Sequence, residues 1–111
     1  MGESETSNQR PGATMSRQPC VYMLASRRNG TLYVGVTGDL ANRVWLHKQG
    51  RGSKFTARYK VHILVWTEFH AEFATAIERE KRIKMWKRAW KINLIEATNP
   101  DWLDLFDDIN M

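Results

Sequence analysis

Residues 20–37 read CVYMLASRRNGTLYVGVT. Two β-prone runs, CVYMLA and TLYVGVT, flank Asn29-Gly30, a strong local signal for a hairpin turn. With the loop over Arg27–Gly30, Ser26 lies opposite Thr31 and Leu24 opposite Tyr33. Tyr22 is then the diagonal neighbour of Tyr33 on one face of the hairpin. A tighter two-residue turn keeps both tyrosines on that face but further apart, and an odd-length loop separates them. Gly35, one step along on the face of Tyr33, removes a side chain and leaves room for a ligand or an approaching helix. Two half-buried tyrosines that simply pack are the plainer reading of either one alone.

The next segments raise the stakes. After the hairpin, Asp39 can cap a helix running to about Lys48, with Gly50 ending it. At 100° per residue Leu40, Val44 and Leu46 mark its inward side. Arg43 and His47 fall on the side of Leu40 and Val44, whereas Trp45 points away. An arginine and a histidine on the apolar face of a short helix need partners there. The Gly/Arg/Lys-rich stretch GRGSKFTARYK (50–60) reads as a loop, and VHILVWTEF (61–69) as the third strand. Helical periodicity then runs from about Ala71 to Trp90, followed by a short helix over KINLIEA. Phe73, Ala76, Ile77, Ile83, Trp86 and Trp90 form the apolar stripe of the long helix. Glu80 lies inside that stripe and Glu78 on the opposite side; the structural role for Glu80 is an ion pair with Lys84. Asn99-Pro100 precedes an end anchored by Trp102, Leu105 and Phe106. The order β-β-α-β-α-α predicts a mixed α/β domain: a small three-stranded antiparallel sheet flanked by helices.

Charge is distributed unevenly. The net charge is +5, yet residues 27–91 carry fifteen Lys and Arg against five Asp and Glu, whereas residues 92–111 hold five acids and no base. A basic body suits a polyanionic partner, nucleic acid above all. Arg51, Lys54 and Arg58 form one candidate phosphate-binding group and Lys84, Lys87 and Arg88 a second, both giving affinity without sequence selectivity. At 111 residues the chain is one domain. Residues 1–18, polar and without apolar periodicity, read as a flexible tail; the domain spans 19–106, and 107–111 is a short acidic end. No apolar run is long enough to span a membrane, no signal-peptide core is present, and Cys20 has no partner for a disulfide. These features suit the cytoplasm.

Two tyrosines, an arginine, a histidine and a carboxylate make joint sense in a phosphodiester hydrolase. The attacking water must lose a proton, and a tyrosine serves only if its surroundings lower a pKa near 10. A guanidinium can neutralise charge on the phosphate. A lone carboxylate can hold a single Mg²⁺ or Mn²⁺, recruited mostly with substrate because one protein ligand binds metal weakly. Other chemistries lack support. His47, His62 and His70 show no zinc-ligand spacing, the GRGSK stretch is too short for a phosphate loop, and Ser53 lacks a nucleophile-elbow context.

VYM followed by LYVG resembles the paired tripeptides of the GIY-YIG nuclease family. The likeness extends through HKQG, FTARY, EREKRIKMWKR, KINLIE and NPDW, over about residues 19–106, and is greatest to small single-domain bacterial members. It implies that Tyr22 and Tyr33 are the two tyrosines of the motif, one of them, often the second, the general base. It also implies that Arg43 clamps the phosphate, that His47 is the histidine seen in part of the family, and that Glu80 is the metal-binding glutamate. Asn99 matches a late site asparagine better than Asn93 does. Cys20-Val21 replaces Gly-Ile and Val34 replaces isoleucine. Val36 stands where the repair-nuclease branch has a lysine, which points to His47 for proton handling. The implied activity is metal-dependent endonucleolytic cleavage of nucleic acid, DNA before RNA. With no room for an appended DNA-binding domain, it acts with weak specificity, on DNA structure, or with a protein partner that supplies target choice. A non-catalytic nucleic-acid-binding module is the alternative. A protein-interaction domain using the acidic end and Trp45 is a third.

Overall fold

In the computed structural model, which describes residues 18–109, strand β1 (Cys20–Ala25) pairs antiparallel with β2 (Leu32–Thr37). The tail expected over 1–18 lies, save for Gln18, outside the described residues, as do residues 110 and 111. The hairpin has the register of the four-residue loop. Leu24 faces Tyr33, Tyr22 faces Gly35, and the Ser26 amide donates to the Thr31 carbonyl at 3.0 Å. Asn29 sits at φ 57°, the left-handed conformation that asparagine tolerates in a turn.

Strand β3 (Ile63–Phe69) pairs antiparallel with the other edge of β1, so the sheet order is β2-β1-β3. Central β1 is buried along its whole length, as its unbroken apolar sequence requires. Met23 pairs with Trp66 but Leu24 with Leu64, which makes Val65 the extra residue of a bulge.

Helices cover both faces. On one, Val21, Met23, Ala25 and Val34 pack against Ala76 and Ile83 of α3 (Phe73–Met85), Ile95 of α4 (Arg88–Thr98), and Trp102. On the other, Cys20, Tyr22, Leu24 and Leu64 pack against Leu40 and Val44 of α1 (Leu40–Lys48). The short helix α5 (Phe106–Ile109) closes the rim of that cluster. Ala41 and His47 complete the buried side of α1, and Leu46 is only partly covered.

Two expectations about the helices need correction. The segment read as a loop contains a helix, α2 (Lys54–Tyr59). The Ser53 side chain caps it by accepting from the Thr56 amide at 3.1 Å, and Lys60 ends it in the left-handed region at φ 56°. The periodicity read as one helix over 71–90 is two helices, broken by extended backbone at Trp86 and Lys87. Neither Gly nor Pro forces that break. Tertiary contacts hold it: Arg88 Nη2 donates to the carbonyls of Asn29 at 2.7 Å and Gly30 at 2.6 Å, and α4 turns back to bury Ile95 beside β3. Trp90 therefore leaves the stripe and stands half-exposed, edge-on to Trp86. The expected β-β-α-β-α-α frame holds, with α2 and α5 added.

Candidate active site

The pairing of Tyr22 with Gly35 determines how the hairpin is used. A Cβ built on Gly35 would lie 2.5 Å from Tyr22 Oη and 2.6 Å from its Cζ. The space opened by the glycine is thus filled by the Tyr22 ring, not kept for a ligand or a helix. Tyr22 is 2 % exposed, and its ring centroid lies 6.2 Å from that of Tyr33, which remains partly open to solvent.

His47 closes the group from α1. Its ring lies 5.9 Å from that of Tyr22 and 5.2 Å from that of Tyr33. Nε2 is 3.0 Å from Tyr22 Oη, and Nδ1 is 2.8 Å from Thr56 Oγ1. Both ring nitrogens are engaged, and the residue is 1 % exposed. Gly52 supports it from behind, since any Cβ there would collide with the imidazole. Thr56, one turn into α2 and 2.9 Å from Ser53 Oγ, is the site residue that sequence reasoning missed. Its signal was the Ser53-x-x-Thr56 spacing of a helix cap.

Burial sets the protonation states. It lowers the His47 pKa from an ordinary 6.5 to about 4, and the neighbouring Arg43 charge acts in the same direction. His47 is therefore neutral at pH 7, with one ring nitrogen donating and the other accepting. Burial also pushes the Tyr22 phenol well up, the nearby Tyr33 adds to the shift, and Arg43 opposes it. Tyr22 stays protonated. Arg43, one turn before His47, has no ion pair among the described residues.

Glu80 is buried, 7 % exposed, as its position in the apolar stripe requires. It stands on α3, whose Ala76 and Ile83 pack on the face carrying Val21, Met23 and Val34. Its Oε2 meets Lys84 Nζ at 2.5 Å, and among the described residues Oε1 has no hydrogen-bond partner. No three His, Cys, Asp or Glu side chains gather as a metal set among the described residues. A divalent cation at the unpartnered oxygen would complete its shell with water and substrate oxygens, which suits a hard ion on one carboxylate.

Asn99 is not brought to this group. It caps α4, and its Nδ2 donates to Val65 O at 3.1 Å and Leu103 O at 2.9 Å, while Oδ1 accepts from Leu103 N at 3.0 Å. The whole amide is spent on the far edge of β3, two strands from Tyr33. The alternative, Asn93, lines an apolar groove of about 510 Å³ with Trp86, Trp90, Leu94 and Ala97, away from the tyrosines. The two basic groups also differ. Arg51, Lys54 and Arg58 are exposed without ion pairs among the described residues, beside the His47 end of the site. Arg88 is bound to the hairpin turn, Lys84 to Glu80, and Lys87 lies 5.7 Å from the Trp90 ring centre.

Residues 18–93 match the GIY-YIG catalytic domain. The UPF0213 protein SH2523 of Staphylococcus haemolyticus is 33 % identical over 76 residues, 68 % of this chain and 92 % of that protein. A UPF0213 protein of Staphylococcus aureus is 39 % identical over 69 residues, 61 % of this chain and 83 % of its own, and one of Bacillus pumilus is 37 % identical over 68 residues, 61 % and 69 %. No solved structure matches significantly. A hairpin that brings two tyrosines to a buried histidine, within a domain matched over residues 18–93, places the chain in the GIY-YIG nuclease family.

Proposed function

We propose that the protein is an endonuclease that hydrolyses phosphodiester bonds in DNA with a single Mg²⁺ or Mn²⁺ at Glu80. The observation that carries this reading is the convergence of Tyr22, Tyr33 and His47 beside Arg43, a cation without an ion pair among the described residues. Solvent access divides the roles. Tyr33, the more open of the two, meets the attacking water and, in its phenolate form, accepts the proton that the water loses. Tyr22, held protonated by burial, fixes His47 and backs Tyr33. Arg43 neutralises charge that builds on the phosphate, an interaction worth most where water is excluded. Glu80 would hold the ion, which would lend further electrostatic stabilisation to that charge. The place of action is the cytoplasm.

Cleavage of single-stranded, duplex, flapped and branched DNA and of RNA, with Mg²⁺ or Mn²⁺, tests this reading against Arg43→Ala and Glu80→Ala. Metal-dependent cutting lost in both folded variants supports it. Equal cutting in all three preparations indicates a contaminant and defeats it. One observation favours a binding module instead: the short Glu80–Lys84 pair, which a non-catalytic protein would keep for structure. That module would bind nucleic acid in a salt-sensitive way without cutting it.

A further inference from the structure

The rings of the site do not stop at Tyr33. Phe55, on α2, lies 6.2 Å from Tyr33 with the planes inclined by only 29°, and Tyr59, one turn further, lies 4.9 Å from Phe55. Exposure rises along the series. Tyr22 is sealed and Tyr33 half-open, while Phe55 is 42 % and Tyr59 47 % exposed. Neither outer ring joins a hydrophobic cluster of the sheet. Two large aromatic rings left in water beside a core are a cost that folding does not require.

The surrounding charge indicates what would cover them. From residue 40 to residue 67 the chain contains no acid. Lys54, Arg58 and Lys60 neighbour the rings in sequence, exposed and without ion pairs among the described residues, and the Arg58 guanidinium lies 5.5 Å from the Tyr59 ring centre. A run of adjoining aromatic rings interleaved with exposed cations fits a partner with flat apolar faces on an anionic backbone. That describes unpaired nucleotides. In a duplex the base faces are already stacked on each other, so only an unpaired strand can offer them.

We infer that Phe55 and Tyr59 form a stacking platform for unpaired bases of a nucleic-acid strand whose backbone continues to Tyr33 and Arg43. This rests on the nuclease reading for the destination of the strand, though not for the stacking itself. The platform selects single-stranded or locally unpaired substrate by its shape, and Lys54 and Arg58 hold the phosphates on either side of the stacked bases. It also accounts for α2: the helix that holds His47 through Thr56 presents Phe55 and Tyr59 at the neighbouring positions of the same turns.

The test is binding of a fluorescent single strand and of its blunt duplex, without metal so that no cutting occurs. It compares the parent with Phe55→Ala/Tyr59→Ala and Phe55→Trp/Tyr59→Phe. The alanine pair should weaken single-strand binding at least tenfold and leave the weaker duplex binding within about twofold, since a stacked base is worth about tenfold or more. The aromatic pair should restore affinity, and 2-aminopurine in the strand should be quenched by the parent and not by the alanine pair. Equal loss for strand and duplex, or unchanged single-strand binding in the folded alanine pair, overturns the platform. Cleavage measured separately with metal isolates the two readings. Cutting that persists when the platform fails leaves the nuclease standing, whereas aromatic-dependent binding without cutting by any variant leaves only the platform.

Discussion

On the α3–α4 side of the sheet the buried surface is almost wholly apolar, and several of the charges near it have partners. Glu80 pairs with Lys84, Arg79 grips Glu68 at 3.0 Å, and Arg88 is tied to the hairpin carbonyls. On the α1–α2 side the same sheet buries a phenol and an imidazole, while Arg43, Arg51, Lys54 and Arg58 have no ion pairs among the described residues. A buried polar group costs stability unless it is bonded, so the second side gives up packing to hold groups in position. The first face is mainly packing, whereas the second sets cations without ion pairs among the described residues beside a buried polar pair.

The sharpest way to break this contrast is Arg43→Ala. Arg43 should lower the cleavage rate about 10²–10³-fold when truncated, the usual loss on removing one donor to transition-state charge. The unfolding midpoint should barely move, because no ion pair among the described residues is lost. Steady-state rates beside denaturant melts check both halves. A stability loss as large as the rate loss would make Arg43 a packing residue.

His47 sharpens the comparison through pH. Its folded pKa, about 4, lies below the unfolded 6.5, so the unfolded chain binds more protons between those values. The contribution of His47 is complete above pH 6.5 and is lost as pH falls toward 4, by on the order of 3 kcal/mol in all. Urea melts from pH 7.5 to 5 should show this slope in the parent and lose it in His47→Gln. An identical slope in both would assign it elsewhere.

Gly35→Ala comes next. The added methyl must displace the Tyr22 ring, which is buried and bonded to His47. Overpacking of this kind costs about 1–3 kcal/mol. Thermal unfolding measures it, and the movement of Tyr22 should lower cleavage as well. Gly50 offers the counterpart: no atom lies within 4 Å of a Cβ there, yet φ is 74°. Alanine at that position strains the backbone alone.

The reach of sequence reading divides along the same line. The hairpin register, the inward His47 and the burial of Glu80 rather than Glu78 were legible because each rests on a local period, two for a strand and 3.6 for a helix. The Trp86 break was not, since helical periodicity continues through it and only the Arg88 bonds to Asn29 and Gly30, 59 and 58 residues away in sequence, reveal it. Helix α2 was missed for a different reason. Six residues are too few for periodicity to show, and its one mark was the Ser53 cap. Asn99 was misplaced because its amide bonds, to Val65 and Leu103, are tertiary.

The smallest effects test which cations are free. Arg88→Ala removes two hydrogen bonds to turn carbonyls and should cost about 1–2 kcal/mol, because a charged donor to a partly exposed carbonyl contributes modestly. It should leave the salt dependence of DNA binding unchanged, since a guanidinium held by carbonyls is not available to a phosphate. Arg58→Ala should do the reverse, with stability steady and the slope of log affinity against log salt reduced by about one. Binding titrations between 50 and 200 mM salt, beside melts of both variants, separate the cases. Were Arg88→Ala to flatten the slope and Arg58→Ala not, the nucleic acid would lie across α4 instead, and the assignment of the two faces would have to be exchanged.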